Sequence, residues 1–159
     1  MRIDQKEFEE AIELYSDAMM RCAYAYCGNT ADSEDIVQEA FVRYLKKAPQ
    51  FKDEAHRKAW LLRVVINLSK NLKKNFWQRN KCELDENMPA ESDALHSCEI
   101  WSAVRQLPPK YRVIIELYYH MGYTIEEIAQ ITGSKKSTVG DRLSRAKTLL
   151  KKIYEEESP

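Results

Sequence analysis

Apolar side chains recur along this chain at steps of three and four, and almost no stretch alternates with the period of two that a half-buried strand requires. Between residues 4 and 27, Phe8, Ala11, Ile12, Tyr15, Met19, Cys22, Ala23 and Tyr26 fall on one helical stripe. Gly28-Asn29 then reads as a stop, and Asp32 as the cap of a second helix. That helix buries Ile36, Val37, Ala40, Phe41, Tyr44 and Leu45, with Pro49 beyond its end. A third helix, roughly 55–74, buries Leu61, Val64, Val65, Leu68 and Leu72. Three amphipathic helices of this length predict one small bundle.

Periodicity fades from about Asn75 to Ser97, where NKCELDENMPAESDALHS is polar, acidic and interrupted by Pro89. This composition predicts a linker. A second helical unit follows. Ile100, Trp101, Val104 and Leu107 mark one helix, and Pro108-Pro109 break it. Tyr111, Ile114, Leu117, Tyr118 and Met121 mark the next, closed by Gly122. The run YTIEEIAQITGSKKSTVGDRLSRAK, Tyr123 to Lys147, is the most informative. Thr124 and Glu127 stand at capping-box spacing. Ile125, Ile128 and Ala129 give a buried side, with Ala129 small enough for a close helix crossing. Gly133 suits the positive φ that ends a helix. The following helix buries Val139, Leu143, Ala146 and Leu150 and exposes Lys136, Asp141, Arg142, Ser144, Arg145 and Thr148. Cap, small residue, turn and basic helix in that order form a helix-turn-helix, whose second helix enters the DNA major groove. The expected fold is all-α: two small helical domains, 1–75 and 98–159, joined by a flexible linker at 76–97.

The formal charge is zero, which at first argues against a nucleic-acid partner. The average hides an alternation. Residues 1–45 carry a net −6, 46–81 a net +9, 82–101 a net −6, 102–134 none, and 135–159 a net +3. Two basic blocks separated by an acidic one suggest two DNA-facing surfaces, and the acidic start suits a basic protein partner. No apolar run approaches the length of a membrane span, and no signal peptide is evident. Cys22, Cys27, Cys82 and Cys98 lack CxxC spacing and a supporting histidine pattern. Reduced, mostly buried thiols of a cytoplasmic protein are expected, with no metal and no cofactor. His56, His96 and His120 read as structural or solvated.

The third helix carries a second pattern. Arg63, Asn67, Lys70, Asn71 and Lys74 form a polar, basic stripe, with Trp60 seven residues before Asn67 on the same side. Phe76, Trp77, Arg79 and Lys81 continue the mixture. Basic residues interleaved with aromatics suit single-stranded nucleic acid: cations follow phosphates, while a ring or amide receives an unstacked base. On the second helix, Glu34, Asp35, Gln38 and Glu39 form an acidic-polar patch. Carboxylates favour a helix start, yet Gln38 and Glu39 lie past the first turn, which leaves a protein-docking surface open beside plain helix electrostatics.

These residues together resemble a known family. ADSEDIVQEAFVRYL resembles the core-binding helix of bacterial sigma factors of the sigma-70 family, AWLLRVVINLSKN its promoter-melting helix, and LPPKYRVIIELYYHMGYTIEEIAQITGSKKSTVGDRLSRAKTLL its C-terminal domain. The order and short linker match the extracytoplasmic function (ECF) type. The resemblance implies that Asp35, Gln38, Glu39 and Phe41 dock on the clamp helices of RNA polymerase core. It implies that Trp60, Arg63, Asn67, Lys70, Asn71 and Lys74 meet the melted −10 element of promoter DNA. It implies that Lys136, Ser137, Thr138, Asp141, Arg142, Ser144 and Arg145 serve the −35 element. Further implied partners are the polymerase flap and an anti-sigma factor. Three positions depart from the family. Gly140 stands where a basic residue is frequent, Asp141 where a small polar one is common, and Asn71 where many relatives have Asp. A carboxylate near phosphates is repelled unless it accepts a hydrogen bond from a cytosine amino group.

Two other function classes compete. A stand-alone helix-turn-helix repressor or activator binds duplex DNA by itself, usually as a dimer, and has no need of the patch around Gln38 or of the aromatic-basic third helix. A nucleic-acid enzyme needs clustered carboxylates for metal, or a nucleophile beside a base. Here the carboxylates sit at helix starts or in the linker, and no Walker loop is present. The expectation is therefore a specificity subunit, not an enzyme.

Overall fold

A computed structural model describes residues 3–79 and 99–157. Among them every regular element is helical, and the chain divides into two compact units, Met1–Leu84 and Asp85–Pro159.

The first unit packs three helices: α1 (Gln5–Cys27), α2 (Thr30–Lys47) and α3 (Glu54–Arg79). Asp4 caps α1, its carboxylate accepting from Glu7 N at 2.8 Å. Gly28, at φ 78°, closes it with an N–H bonded to Tyr24 O. Only a residue without Cβ turns this way at no steric cost, and the chain enters α2 at once. The expected cap at Asp32 is corrected here. Asn29 has the extended backbone of a cap and accepts from Asp32 N at 2.8 Å, while Asp32 lies inside the first turn.

The core of this unit is Ala11, Tyr15, Met19, Cys22, Ala23, Ile36, Val37, Ala40, Tyr44, Leu61, Leu62, Val65 and Ile66. Two expected core residues face outward, Ile12 at 36% exposure and Leu45 at 42%. The inner row of α3 also differs from the expected one. Leu61 and Val65 are buried as predicted, but Val64, Leu68 and Leu72 are half-buried, and Leu62, Ile66 and Ser69 complete the row. Ser69 is fully buried because its hydroxyl donates to Val65 O at 2.7 Å, so no donor is stranded. Ser33 does the same with Asn29 O at 2.6 Å. A polar residue bonded to its own helix counts as core, and an apolar-only pattern misses it. The Tyr15 hydroxyl donates to Glu54 at the start of α3, and burial, then that bond, push its pKa up. Cys22 and Cys27 are buried thiols not joined in a disulfide, as expected; Cys82 and Cys98 lie outside the described residues, as does His96.

The segment expected as a linker, 76–97, starts inside α3 at residues 76–79 and otherwise lies outside the described residues. The second unit holds α4 (Glu99–Arg105), α5 (Pro109–Ile115), α6 (Ile125–Thr132) and α7 (Lys136–Glu157). Leu107 is buried but lies past the end of α4, in a tight turn. The buried Arg112 guanidinium reaches back to Leu107 O at 3.0 Å and Arg105 O at 3.4 Å. A cation on those carbonyls satisfies groups the short helix leaves open. Pro109 is the first residue of α5, where its missing N–H is harmless.

The expected single helix over Tyr111–Met121 instead widens after Ile115 into a π turn, Glu116–His120, with Met121 N bonded to Glu116 O at 3.0 Å. Across it His120 Nδ1 lies 2.7 Å from Glu116 Oε1. Gly122, at φ 78°, then ends the segment.

Candidate nucleic-acid interface

The helix-turn-helix has the expected local chemistry. Thr124 Oγ1 accepts from Glu127 N at 3.1 Å, and Glu127 Oε1 accepts from Thr124 N at 2.9 Å, completing the capping box. Gly133 ends α6 at φ 69°. Ile128, Ala129 and Ile131 from α6 and Val139, Leu143 and Ala146 from α7 are buried. Ile125 and Leu150, expected in this core, are half-buried.

With these residues inward, α7 turns Ser137, Asp141, Ser144 and Arg145 to solvent, with Thr138 and Arg142 half-buried at one flank. Lys136 is exposed but engaged: its Nζ meets Glu126 Oε1 at 2.7 Å, and the hydrogen bond from this ammonium holds the Glu126 carboxyl below its usual pKa. At such exposure the pair adds little stability. A shallow cleft brings Thr138, Asp141, Arg142 and Arg145 together with Lys110 and Tyr111 of α5. The sequence reading did not single out Lys110. It is remote in the chain, and only packing of α5 on α7 places it beside the basic helix.

In the first unit, Arg63, Asn67 and Asn71 are exposed, and Lys70 is half-buried and engaged. At roughly 100° per residue, all four project opposite Leu61, Val65 and Ser69. Lys74 continues α3, one turn beyond Lys70. Trp60 is half-buried, 6.3 Å from the Tyr44 ring and 5.8 Å from that of Phe51. It forms the rim of an aromatic cluster that continues through Tyr44 to Phe8 and Phe41. His56, read as structural or solvated, is exposed at this rim. It packs edge-on to Phe51 at 5.2 Å, and its Nδ1 accepts from Lys52 N at 3.1 Å.

A third face lies on α2. Asp35, Gln38 and Glu39 are exposed in one line, which continues through Val42 at 39% exposure and Leu45. Arg43 pairs with Glu39 at 3.6 Å. Phe41 sits beneath this face at 7% exposure, edge-on to Phe8 at 5.9 Å, so it shapes the surface more than it offers one. The exposed apolar end of the line was missed because helical periodicity had assigned Leu45 to the core.

A three-helix unit with a basic, amide-bearing stripe, followed by a helix-turn-helix unit, is the make-up of a transcription factor that handles DNA at two places. Comparison with known proteins narrows this class. The family model for sigma-70 region 2 matches residues 11–79, and that for sigma-70 region 4 matches residues 99–150. The ECF RNA polymerase sigma factor SigW of Bacillus subtilis is 28% identical over 167 residues, covering 94% of this chain and 89% of that protein. The RNA polymerase sigma factor SigV of the same organism is 27% identical, covering 82% and 81%. The solved structure of the sigma factor RpoE in complex with the anti-sigma factor NepR from Bartonella quintana matches in fold, with a TM-score of 0.77 at 23% identity, over 96% of this chain and 99% of that one.

The chain belongs to the sigma-70 family of bacterial RNA polymerase sigma factors, in its ECF group, and directs promoter-specific transcription initiation. Two regional models in series do not favour the stand-alone repressor. Among the described residues no helix is long and apolar enough to cross a membrane.

Proposed function

We propose a division of labour among the three faces. The α2 line Asp35–Gln38–Glu39, extended by Val42 and Leu45, docks on the clamp helices of polymerase core, with Phe41 as its support. The α3 stripe, from Trp60 and Arg63 through Asn67, Lys70, Asn71 and Lys74, holds the melted −10 element. Cations there track phosphates, and the amides receive an unstacked base. The α7 face, Lys136, Ser137, Thr138, Asp141, Arg142, Ser144 and Arg145, engages the −35 duplex, with Lys110 as an added phosphate contact. The second unit also meets the polymerase flap.

The observation that best supports this reading is the placement of Asn67 and Asn71, exposed among cations on the side of α3 opposite its core. Exposed amides gain nothing for the fold; beside a melted strand they gain base contacts. The chain acts as a specificity subunit rather than a catalyst. Strand separation is stabilised by binding energy, without ATP, and two weak sites on one chain reinforce each other through effective concentration. Such work takes place in the cytoplasm, where polymerase and chromosome meet. An anti-sigma protein is a further partner, in keeping with the complex of the Bartonella relative.

Run-off transcription with purified polymerase core and genomic DNA tests the proposal. Addition of this chain is expected to create new start points sharing an upstream motif. An unchanged set of start points overturns it.

A further inference from the structure

The outward face of α7 has two unlike flanks. At roughly 100° per residue, Asp141 stands farthest from the buried line of Val139, Leu143 and Ala146. On one side of it lie Arg145, Thr138 and Arg142, which join Lys110 and Tyr111 around the shallow cleft. On the other, along the first turns of the helix, lie Ser137, Gly140 and Ser144, short and uncharged, with the exposed Lys147 and Lys151 following only further along. A Cβ added at Gly140 would meet no atom within 4 Å, so no packing demand explains the glycine. Among the described residues the Asp141 carboxylate takes part in no hydrogen bond or ion pair.

The geometry points to Asp141 as a specificity-determining residue that accepts a hydrogen bond from a cytosine N4 amino group in the major groove. This rests on α7 being the reader of the −35 duplex. Phosphates offer only negative charge and acceptors, so they repel a carboxylate at the crest of a DNA-facing helix. Among base edges, adenine presents its amino group beside the N7 acceptor, which also repels it. Cytosine presents a donor alone, and Asp and Glu are its usual acceptors. An aspartate side chain is short, so the helix must come close to the groove floor. Gly140 and the two serines leave that approach open, since small residues let backbone near a ligand. Cations on the opposite flank hold the neighbouring phosphates and set the angle of entry. The charge at Asp141 thus becomes a filter against sequences that lack cytosine at one step.

The test uses holoenzyme reconstituted from polymerase core and the full chain, with a promoter library randomised over the upstream element. The expected result is enrichment of cytosine at one position, on either strand, by about fivefold or more. Asp141→Asn is expected to move that preference to adenine, whose N6 and N7 an amide matches. Asp141→Ala should flatten that position and leave the others unchanged. Identical preferences for the native chain and Asp141→Asn overturn the inference. If Arg145→Ala still abolishes the upstream requirement in that case, the −35 reading of α7 stands and only the role of Asp141 falls. A native holoenzyme indifferent to the upstream sequence, with Arg145→Ala equally silent, overturns both.

Discussion

Gly140 sits in the interior of α7, where glycine is less favourable than alanine by about 1 kcal/mol, and no neighbour fills the space its side chain would take. Gly140→Ala is therefore expected to stabilise the second unit by about 1 kcal/mol in urea denaturation; a loss of stability would contradict the open space around it. Asn67 presents the converse case, exposed and without a structural duty. Asn67→Ala should leave the melting temperature nearly unchanged and reduce open-complex formation more than closed-complex binding. Permanganate reactivity of the melted strand, set beside filter binding, separates the two steps. Equal losses in both would remove the base-trapping role.

Helices with strong local rules are the ones the sequence describes best. The capping box at Thr124 and Glu127, the left-handed Gly133 and the inner line of α7 each follow from side chains within a few positions of one another. Removing the Thr124 hydroxyl in Thr124→Ala should cost about 1 kcal/mol, seen as a lower melting temperature of the second unit. Where tertiary packing decides, the sequence says less. Two neighbouring helices select the inner row of α3, and Ser69 enters it because Val65 O takes its proton. Leu45 has the spacing of a core residue yet stands at the open end of α2. Lys110 reaches the cleft beside α7 through packing that no local pattern encodes. On α2 itself, Gln38→Ala combined with Glu39→Lys should weaken binding to polymerase core at least tenfold, about 1.4 kcal/mol, while the helical circular dichroism stays the same. Unchanged core affinity would remove the docking assignment.

Across the whole molecule, a formal charge of zero conceals an acidic beginning, a strongly basic α3 region and a basic α7. Each of the two compact units buries its own core, so each presents its charged face without help from the other. A free chain that is neutral overall has little net attraction for DNA, and under the proposed function polymerase core would supply the rest of the promoter affinity. In a mobility-shift assay, promoter DNA should be bound specifically only when core is present. That binding should weaken steeply as salt rises, since phosphate contacts release counterions. Tight, specific binding by the chain alone would point back to a conventional operator-binding protein.

The π turn at Glu116–His120 carries a consequence for chain length. Its bonds span one residue more than ordinary α winding does, so it works like an extra tooth on a gear between α5 and the bend at Gly122. Excising one residue there would let α5 wind on regularly into the bend, with the residues on either side kept near their present register. The same change made in the regular winding of α5 has no such buffer and would turn the capping box and α7 by roughly 100° about the helix axis. The π turn therefore takes up one residue of chain length, and the regular winding on either side of it sets the bearing of α7 on α5.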